Sequence, residues 1–402
     1  MRIALFSDNF YPELSGISDS VIALAQELAK RGHYVDFYVP KYSKADYAMV
    51  GVPVKEIELG QKIRVIRFFS FPYRTGTGQG RLVIPIGLRA FKIFRSKPDV
   101  IHTQLFFGVG LEALFAARIL RKPVIGTNHT SLKEFLKYSP VHFSWLDLLI
   151  LKYMNWYYER CELVTAPSQQ ILDQMMEIGF DMAPGKMNAR ILSNPVVLPG
   201  LVSKEERIAL REELGFSGPT IMYAGRFARE KNIDVLLASI AVIKKTIPDI
   251  ILVLAGNGLI KNELEDLAMH LGIENNIRYL GVLSKPELGK LYAAADVCAT
   301  ASTSEAQSMT MLEAMAYGLP MVGVDTPGLR EHINDQNGRL AKPNDPESLA
   351  REIIAVLKDE VLHKRLSDGG IAFAKQFSAE SIAKEWEAVY SEVIRSYAKR
   401  TR

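Results

Sequence analysis

The stretch Asp296-Val297-Cys298-Ala299-Thr300-Ala301-Ser302-Thr303-Ser304-Glu305-Ala306-Gln307-Ser308-Met309-Thr310-Met311-Leu312-Glu313-Ala314-Met315-Ala316-Tyr317-Gly318 decides the fold. Its opening, Asp296 to Thr300, is a short apolar run that reads as a buried strand end. A polar turn, Ala301 to Ser304, follows. Met309 to Met315 are helix formers in an apolar setting, and Gly318-Leu319-Pro320 stops the helix before the next strand, Met321-Val322-Gly323-Val324. The unit is strand, loop, helix, strand. In an open α/β sheet such a loop opens at the carboxyl edge, where ligands bind and the free N–H groups of the new helix favour an anion. Glu305 precedes that helix and Glu313 lies inside it. A glutamate near a helix start is often only a match to the helix dipole, so these two carboxylates have a structural reading beside the functional one.

Two glutamates eight residues apart, enclosing Met-Thr-Met-Leu and ending in Glu-Ala-Met-Ala-x-Gly, resemble the signature of family 4 nucleotide-sugar-dependent glycosyltransferases. The resemblance implies a GT-B fold: α/β, two Rossmann-like domains facing across a cleft. It also implies that Glu305 holds hydroxyls of the donor sugar and Glu313 the ribose of the nucleotide. Between them, Gln307, Ser308 and the Met309 and Thr310 amides meet the diphosphate. The likeness extends over nearly the whole chain, strongest from 220 to 340.

A length of 402 residues, of which 48% are hydrophobic, suits two or three domains with large cores. The two cysteines, Cys161 and Cys298, lie far apart, which argues for a reducing compartment and against a disulfide scaffold or zinc site. The apolar start Met1 to Phe6 is too short for a signal peptide, and no apolar run reaches the roughly 20 residues needed to span a bilayer. The expectation is a cytoplasmic protein, free or lying on the inner face of the membrane.

The net charge of +4 is unevenly spread: +7 over residues 1–200 (24 Lys+Arg against 17 Asp+Glu) and −3 over the remainder (25 against 28). Between Leu59 and Pro98 there is no Asp or Glu, while Lys62, Arg64, Arg67, Arg74, Arg81, Arg89, Lys92, Arg95 and Lys97 all fall there. Within this window Ile86 to Arg95 is short, basic and apolar on alternate faces. It reads either as a surface helix packing Leu88, Phe91 and Phe94 inward or as an interfacial helix on an anionic membrane. Nucleic acid is the rival partner for a basic patch, but no helix-turn-helix, RNA-binding sheet signature or zinc module accompanies it. Lys133 to Tyr158 is aromatic-rich and includes Trp145. It reads as a long core helix from about Trp145 or, in addition, as an interfacial acceptor entrance. The acceptor and membrane candidates are Arg81, Arg89, Lys92, Arg95 and Trp145.

In chain order, Met1 to Ser7 is a buried strand, then a loop to Ser18, a helix from about Asp19 to Arg31, and a strand from His33. The family has a Gly-Gly turn ahead of this helix; here Ser15 replaces the first glycine and Gly16 remains, able to let the ligand approach the backbone or simply to make a turn. Pro98 to Gln104 and Pro123 to Thr130 are strands with polar tips, ending near His102 and His129. A lone histidine is usually structural, but the resemblance places His129 against the donor sugar. Ser168 follows another strand as the N-cap of a helix.

The second half opens with the strand Thr220 to Gly225, which runs into Arg226-Phe227-Ala228-Arg229-Glu230-Lys231. Two cations at a strand-to-helix turn are usually surface charges. Gly-Arg-x-x-x-Glu-Lys, however, resembles the family's diphosphate clamp, in which Arg226 and Lys231 neutralise the leaving nucleoside diphosphate in place of a metal. The chain holds no Asp-x-Asp pair, so no metal or other cofactor is expected. Asn257, at the tip of the next strand, and Val282 complete the donor set. The resemblance divides the chain at 1–198 and 199–378, with a final helix, about 379–402, returning to the first domain. It implies a retaining hexosyltransferase acting on a nucleotide sugar. The basic window, the aromatics and Glu-Ala-Gln-Ser-Met look like lipid glucosyltransferases using diacylglycerol. A phosphatidylinositol-type mannosyltransferase, a soluble-acceptor enzyme and a non-catalytic binding module are the alternatives.

Overall fold

Short apolar runs, each punctuated by a glycine, proline or polar tip and then a helix, build parallel sheets. The computed structural model describes residues 1–402 apart from 14, 51, 74–78, 88–92, 94, 130–143, 183–186, 201 and 402, with the backbone alone at 144–146. The chain forms two compact units: Met1–Pro195 with Ala379–Arg402, and Val196–Ser378. The division falls at 195/196, against an expected 198/199.

In the first unit the strands are β1 (Arg2–Phe6), β2 (Tyr34–Pro40), β3 (Ile63–Phe68), β4 (Phe71–Pro72), β5 (Arg81–Leu82), β6 (Val100–Thr103), β7 (Val124–Thr127), β8 (Leu163–Ala166) and β9 (Ala189–Ile191). Seven of them form one sheet in the order β3-β2-β1-β6-β7-β8-β9, every pair parallel. β4 and β5 pair antiparallel as a separate ribbon. The first helix is Gly16–Lys30, longer at its start than the expected Asp19, because Ser15 is the N-cap: its hydroxyl accepts from the Ile17 amide at 3.3 Å. Ser15 sits in extended backbone (φ −149°), so the missing glycine costs no strain. Ser168 occupies the N-cap position of the helix Gln169–Glu177, but its buried hydroxyl makes no capping bond.

The helix Ala379–Thr401 belongs to this first unit. Its period-3.6 apolar face, Ile382, Ala383, Trp386, Val389, Tyr390 and Val393, is buried with Phe10, Val21, Leu24 and Leu28. On the outer side Arg31 pairs with Glu387 at 2.5 Å. Among the described residues no helix is long and apolar enough to cross a membrane.

The second unit holds β10 (Thr220–Ala224), β11 (Ile251–Ala255), β12 (Ile277–Gly281), β13 (Val297–Ala299), β14 (Met321–Val324) and β15 (Gly338–Ala341). The order is β12-β11-β10-β13-β14-β15, all parallel. β11 is apolar along its whole length because helices cover both faces of the sheet, and each of its residues is buried. At the amino edge Asp296 gathers Arg207 (2.6 Å), Arg211 (2.9 Å) and the Thr220 amide (2.7 Å), tying the helix Lys204–Glu213 to β10 and β13.

Both sheets reverse strand order at their first strand: β1 lies between β2 and β6, and β10 between β11 and β13. The crevices outside the carboxyl ends of β1/β6 and of β10/β13 are therefore where each unit can hold a ligand.

Candidate active site

In the second unit Arg226, Lys231, Glu305 and the Met309 helix start, expected on the donor side, lie on the loops that follow β10 and β13. β10 leads through Gly225 and Arg226 into a single 3-10 turn, Arg229–Lys231, and then the helix Ile233–Ile243. Asn232 makes the junction in left-handed backbone (φ 47°), a region asparagine tolerates better than most residues. Its amide donates to the Ala301 carbonyl at 3.1 Å and to the Thr303 hydroxyl at 3.4 Å, stitching the loop after β10 to the loop after β13. Gly256, after β11, packs close to the same loop: at φ +140° a Cβ there would lie 1.9 Å from the Gly225 carbonyl oxygen. Asn257 accepts the Phe227 amide at 2.9 Å on its backbone oxygen.

That stitching sets Lys231 Nζ against Glu305 Oε1 at 2.7 Å, with both side chains less than a fifth exposed. Burial pushes the Glu305 carboxyl up, but the Lys231 ammonium, its hydrogen bond, the Ser302 hydroxyl and Arg226 together hold it below the usual value. Arg226 reaches Glu230 at 2.7 Å. Arg226 and Lys231 thus both rest on carboxylates. The helix Met309–Ala316 follows, with the Ser308 hydroxyl accepting from the Met311 amide at 3.3 Å. The Met309 and Thr310 amides fall in the first turn, ahead of any i−4 carbonyl of the helix.

Glu313 is held from the helix Lys285–Ala294: Lys285 Nζ at 2.6 Å on one oxygen and the Tyr292 hydroxyl at 3.0 Å on the other. Burial and then the Glu313 charge push the Tyr292 phenol well up, so it remains a donor. Gln307 is buried and donates to His332 Nε2 at 3.3 Å, while His332 Nδ1 donates to the Gly328 carbonyl at 3.1 Å. Val282 follows the end of β12 and is half-exposed.

In the first unit, Gly16 begins its helix in ordinary helical backbone. His129 follows β7, and its Nε2 faces Gln104 Oε1 at 2.7 Å. Gln104 Nε2 in turn donates to His102 Nε2 at 3.0 Å, and His102 Nδ1 meets the Tyr390 hydroxyl at 2.8 Å. The chain of bonds assigns the tautomers: Nε2 of His129 carries the proton, and Nδ1 is left as an acceptor that has no partner among the described residues. Burial lowers His129 to about 4; burial and then His129 lower His102 to about 3. His102, fully buried against Trp386 with ring centroids 4.4 Å apart, is a core residue that positions Gln104.

Sequence reasoning passed over Gln104, Asn232, Lys285 and Tyr292. No local pattern marks them; each acts on a residue distant in the chain. The membrane candidates need a correction. Arg81 is 7% exposed and paired with Asp46, so it cannot face a lipid headgroup. Arg64 pairs with Asp36 at 2.6 Å and Arg67 with Glu56 at 2.6 Å. The window lacks acids in sequence, yet the fold supplies them from outside it. Arg95 and Lys97 are exposed. Arg89, Lys92 and most of the expected helix at 86–95 lie outside the described residues, as does the Trp145 side chain. Tyr157 and Tyr158 are buried, as a core helix requires, while Trp156 is exposed under the Arg160 guanidinium, 4.1 Å from its ring centroid.

Comparison with known proteins agrees with this geometry. Residues 206–373 match the family described as glycosyl transferases group 1, and residues 14–188 the glycosyltransferase family 4. The chain is 31% identical over 350 residues to an alpha-monoglucosyldiacylglycerol synthase of Streptococcus pneumoniae, covering 84% of this chain and 74% of that one. It is 27% identical over 403 residues to the alpha-monoglucosyldiacylglycerol synthase of Acholeplasma laidlawii, with 98% of each covered. Among solved structures, that of Anabaena HepE in complex with UDP and glucose superposes with a TM-score of 0.76 at 21% identity, over 98% of this chain and 100% of that one. With two Rossmann-like halves of this strand order and these matches, the chain belongs to the group 1, family 4 glycosyltransferases of GT-B fold and is a hexosyltransferase.

Proposed function

We propose that this glycosyltransferase moves glucose from UDP-glucose to a hydroxyl of diacylglycerol at an anionic membrane surface, with retention and without a metal. The observation that carries the donor half is the Lys231–Glu305 pair at the β10/β13 crevice, beside the Met309 helix start. A diphosphate arriving there exchanges partners with the carboxylates. Lys231 leaves Glu305 and Arg226 leaves Glu230 for phosphate oxygens, and the Met309 and Thr310 amides add their dipoles. Glu305, freed of the ammonium, accepts from sugar hydroxyls; Glu313, braced by Lys285 and Tyr292, accepts from the ribose. Fixed positive charge then supports the diphosphate as the glycosidic bond breaks, the role a metal plays in other transferases. His129, neutral and with Nδ1 open, adds an acceptor for a sugar hydroxyl. An alpha product from the alpha-linked donor is retention, and both relatives named above carry alpha in their names.

The acceptor half is supported by those same likenesses and by the ribbon β4–β5. Phe69, Phe71, Tyr73, Leu82, Ile84 and Ile86 are all between 44% and 64% exposed there, inside the stretch that carries no acidic residue. Exposed aromatic and aliphatic side chains beside cations suit a headgroup boundary.

The test is transfer from UDP-glucose to diacylglycerol in vesicles, with the anomeric coupling of the product read by NMR. A labelled alpha-glucolipid that still forms in chelator is the expected result. Transfer only from GDP-mannose to a phosphatidylinositol-type lipid would replace the assignment, and restoration by added magnesium after chelation would end the metal-free reading. Vesicle co-sedimentation should need anionic lipid and weaken with salt, each neighbouring cation contributing about 1 kcal/mol. Phe71→Ser with Ile84→Ser, both at exposed positions, should cut vesicle binding at least about tenfold by removing apolar burial. Equal binding to neutral vesicles would refute the electrostatic part.

A further inference from the structure

Where the first unit reverses its strand order, between β1 and β6, lies a carboxylate that neither Gly16 nor His129 accounts for. Asp8 follows β1 by two residues and is 8% exposed. Its Oδ1 accepts the Val109 amide at 2.9 Å, at the start of the helix Gly108–Leu120 that follows β6. Phe107, at the N-cap of that helix, has no side-chain acceptor, so Asp8 caps the helix from a neighbouring loop. Capping occupies one oxygen. The other, Oδ2, is shut from solvent and has no hydrogen-bond partner among the described residues. Glu13, Tyr73 and Tyr153 face its charge, and none of them is a cation. Glu13 is already engaged, taking the Tyr42 hydroxyl at 2.8 Å and the Asn9 amide at 2.7 Å. Burial raises Asp8 to about 6 against the lowering pull of the Val109 and Gly110 amides.

A helix cap alone does not call for this arrangement. Asn or Ser caps as well as Asp, and neither leaves a buried carboxylate oxygen without a donor, which costs its full desolvation. The spare oxygen sits at the crevice where such a sheet takes its ligand. Among the described residues no cation faces it, so a phosphate would be repelled; a neutral O–H donor supplies what is missing. The geometry points to Asp8 as the residue that takes the hydroxyl of the sugar acceptor, with Oδ2 accepting its hydrogen bond. The acceptor class is therefore a neutral alcohol rather than an alcohol whose recognition depends on phosphate. This inference rests on the glycosyl-transfer reading and names the protein side of its acceptor subsite.

The test uses Asp8→Asn in the full chain, which keeps an oxygen for the Val109 amide. The expected result is an acceptor KM raised about 10- to 100-fold, the worth of a hydrogen bond to a charged group. UDP affinity by calorimetry should not change, and the thermal midpoint at pH 8 should be equal to or above wild type. A second arm uses an inhibitor identical to the acceptor but with hydrogen in place of the reacting hydroxyl. Wild type should bind it more weakly than the acceptor by that factor, and the variant should bind both alike. An unchanged acceptor KM, or UDP affinity lost in step, overturns the assignment. Diacylglycerol failing as substrate would sink the lipid reading alone, with Asp8 then judged on whichever alcohol wild type glycosylates. Transfer to no alcohol at all would overturn both.

Discussion

Lys231→Ala should lower kcat/KM for the nucleotide sugar by about 10²- to 10³-fold, the usual cost of removing one fixed donor from developing negative charge. It should also destabilise the second unit. Glu305 is then a mostly buried carboxylate without its partner, and breaking such a pair costs about 3–5 kcal/mol. The sign with pH separates this loss from a general packing defect. In the native protein the Glu305 carboxyl is held below its usual value, so its contribution is present above that value and is lost as pH falls. In Lys231→Ala the ammonium is gone, and burial, opposed only by the Ser302 hydroxyl and the Arg226 charge, pushes the carboxyl up. The variant should therefore be most destabilised near pH 8 and recover as pH falls towards 5, measured by thermal unfolding. Adding Glu305→Gln should restore most of the midpoint but none of the turnover. Wild-type turnover in Lys231→Ala would remove the clamp from the mechanism.

The second large effect concerns the buried relay in the first unit. His129→Ala should lower kcat about 10²-fold, in the range of one positioned polar group, with little change in UDP affinity. His129 and His102 sit at about 4 and about 3, both lowered by burial. Neither imidazole signal should titrate between pH 8 and 5 by NMR. The unfolded chain does protonate near 6.5, so the stability these histidines contribute is present above that pH and lost as pH falls towards 4, up to about 3 kcal/mol for His129. Asp8 and Glu13, raised to about 6 and about 7 by burial, act in the opposite direction, favouring the fold as pH drops through the same window. Gln104→Glu should keep an oxygen on His129 Nε2 but add a charge. That raises the histidine pKa and gives the rate a new limb between pH 5 and 7. A flat profile in Gln104→Glu would show that Gln104 does not position His129.

Much of this protein is written locally. The glycine, proline and polar breaks between apolar runs set the order of elements. Asn232 escaped notice because left-handed backbone at a non-glycine leaves no trace in a periodicity. The expected start at Asp19 fell three residues late because Ser15 and Asp19 both suit a helix start, and only the backbone angles chose Ser15 as the N-cap. The basic window misled for a stronger reason: charge counted along a chain ignores partners that arrive through folding. Arg81 finds Asp46 at a separation of 35 residues.

The expected donor-side set in the second half rested on the family resemblance. By itself the sequence determined the alternation of strands and helices in two halves and a final helix with an apolar face to bury. Those follow from short-range physics, since strand period, helix period and caps act within a few residues. Only the tertiary structure decided which charges rest on which. Lys231 meets Glu305 across 74 residues, and Tyr390 steadies His102 across 288. Pairings at such separations are set by the strand order, which carries loop ends of distant sequence to one edge of a sheet. The open acceptors, Asp8 Oδ2 and His129 Nδ1, are legible only there, because a polar atom without a partner among the described residues is a property of its surroundings rather than of its residue type.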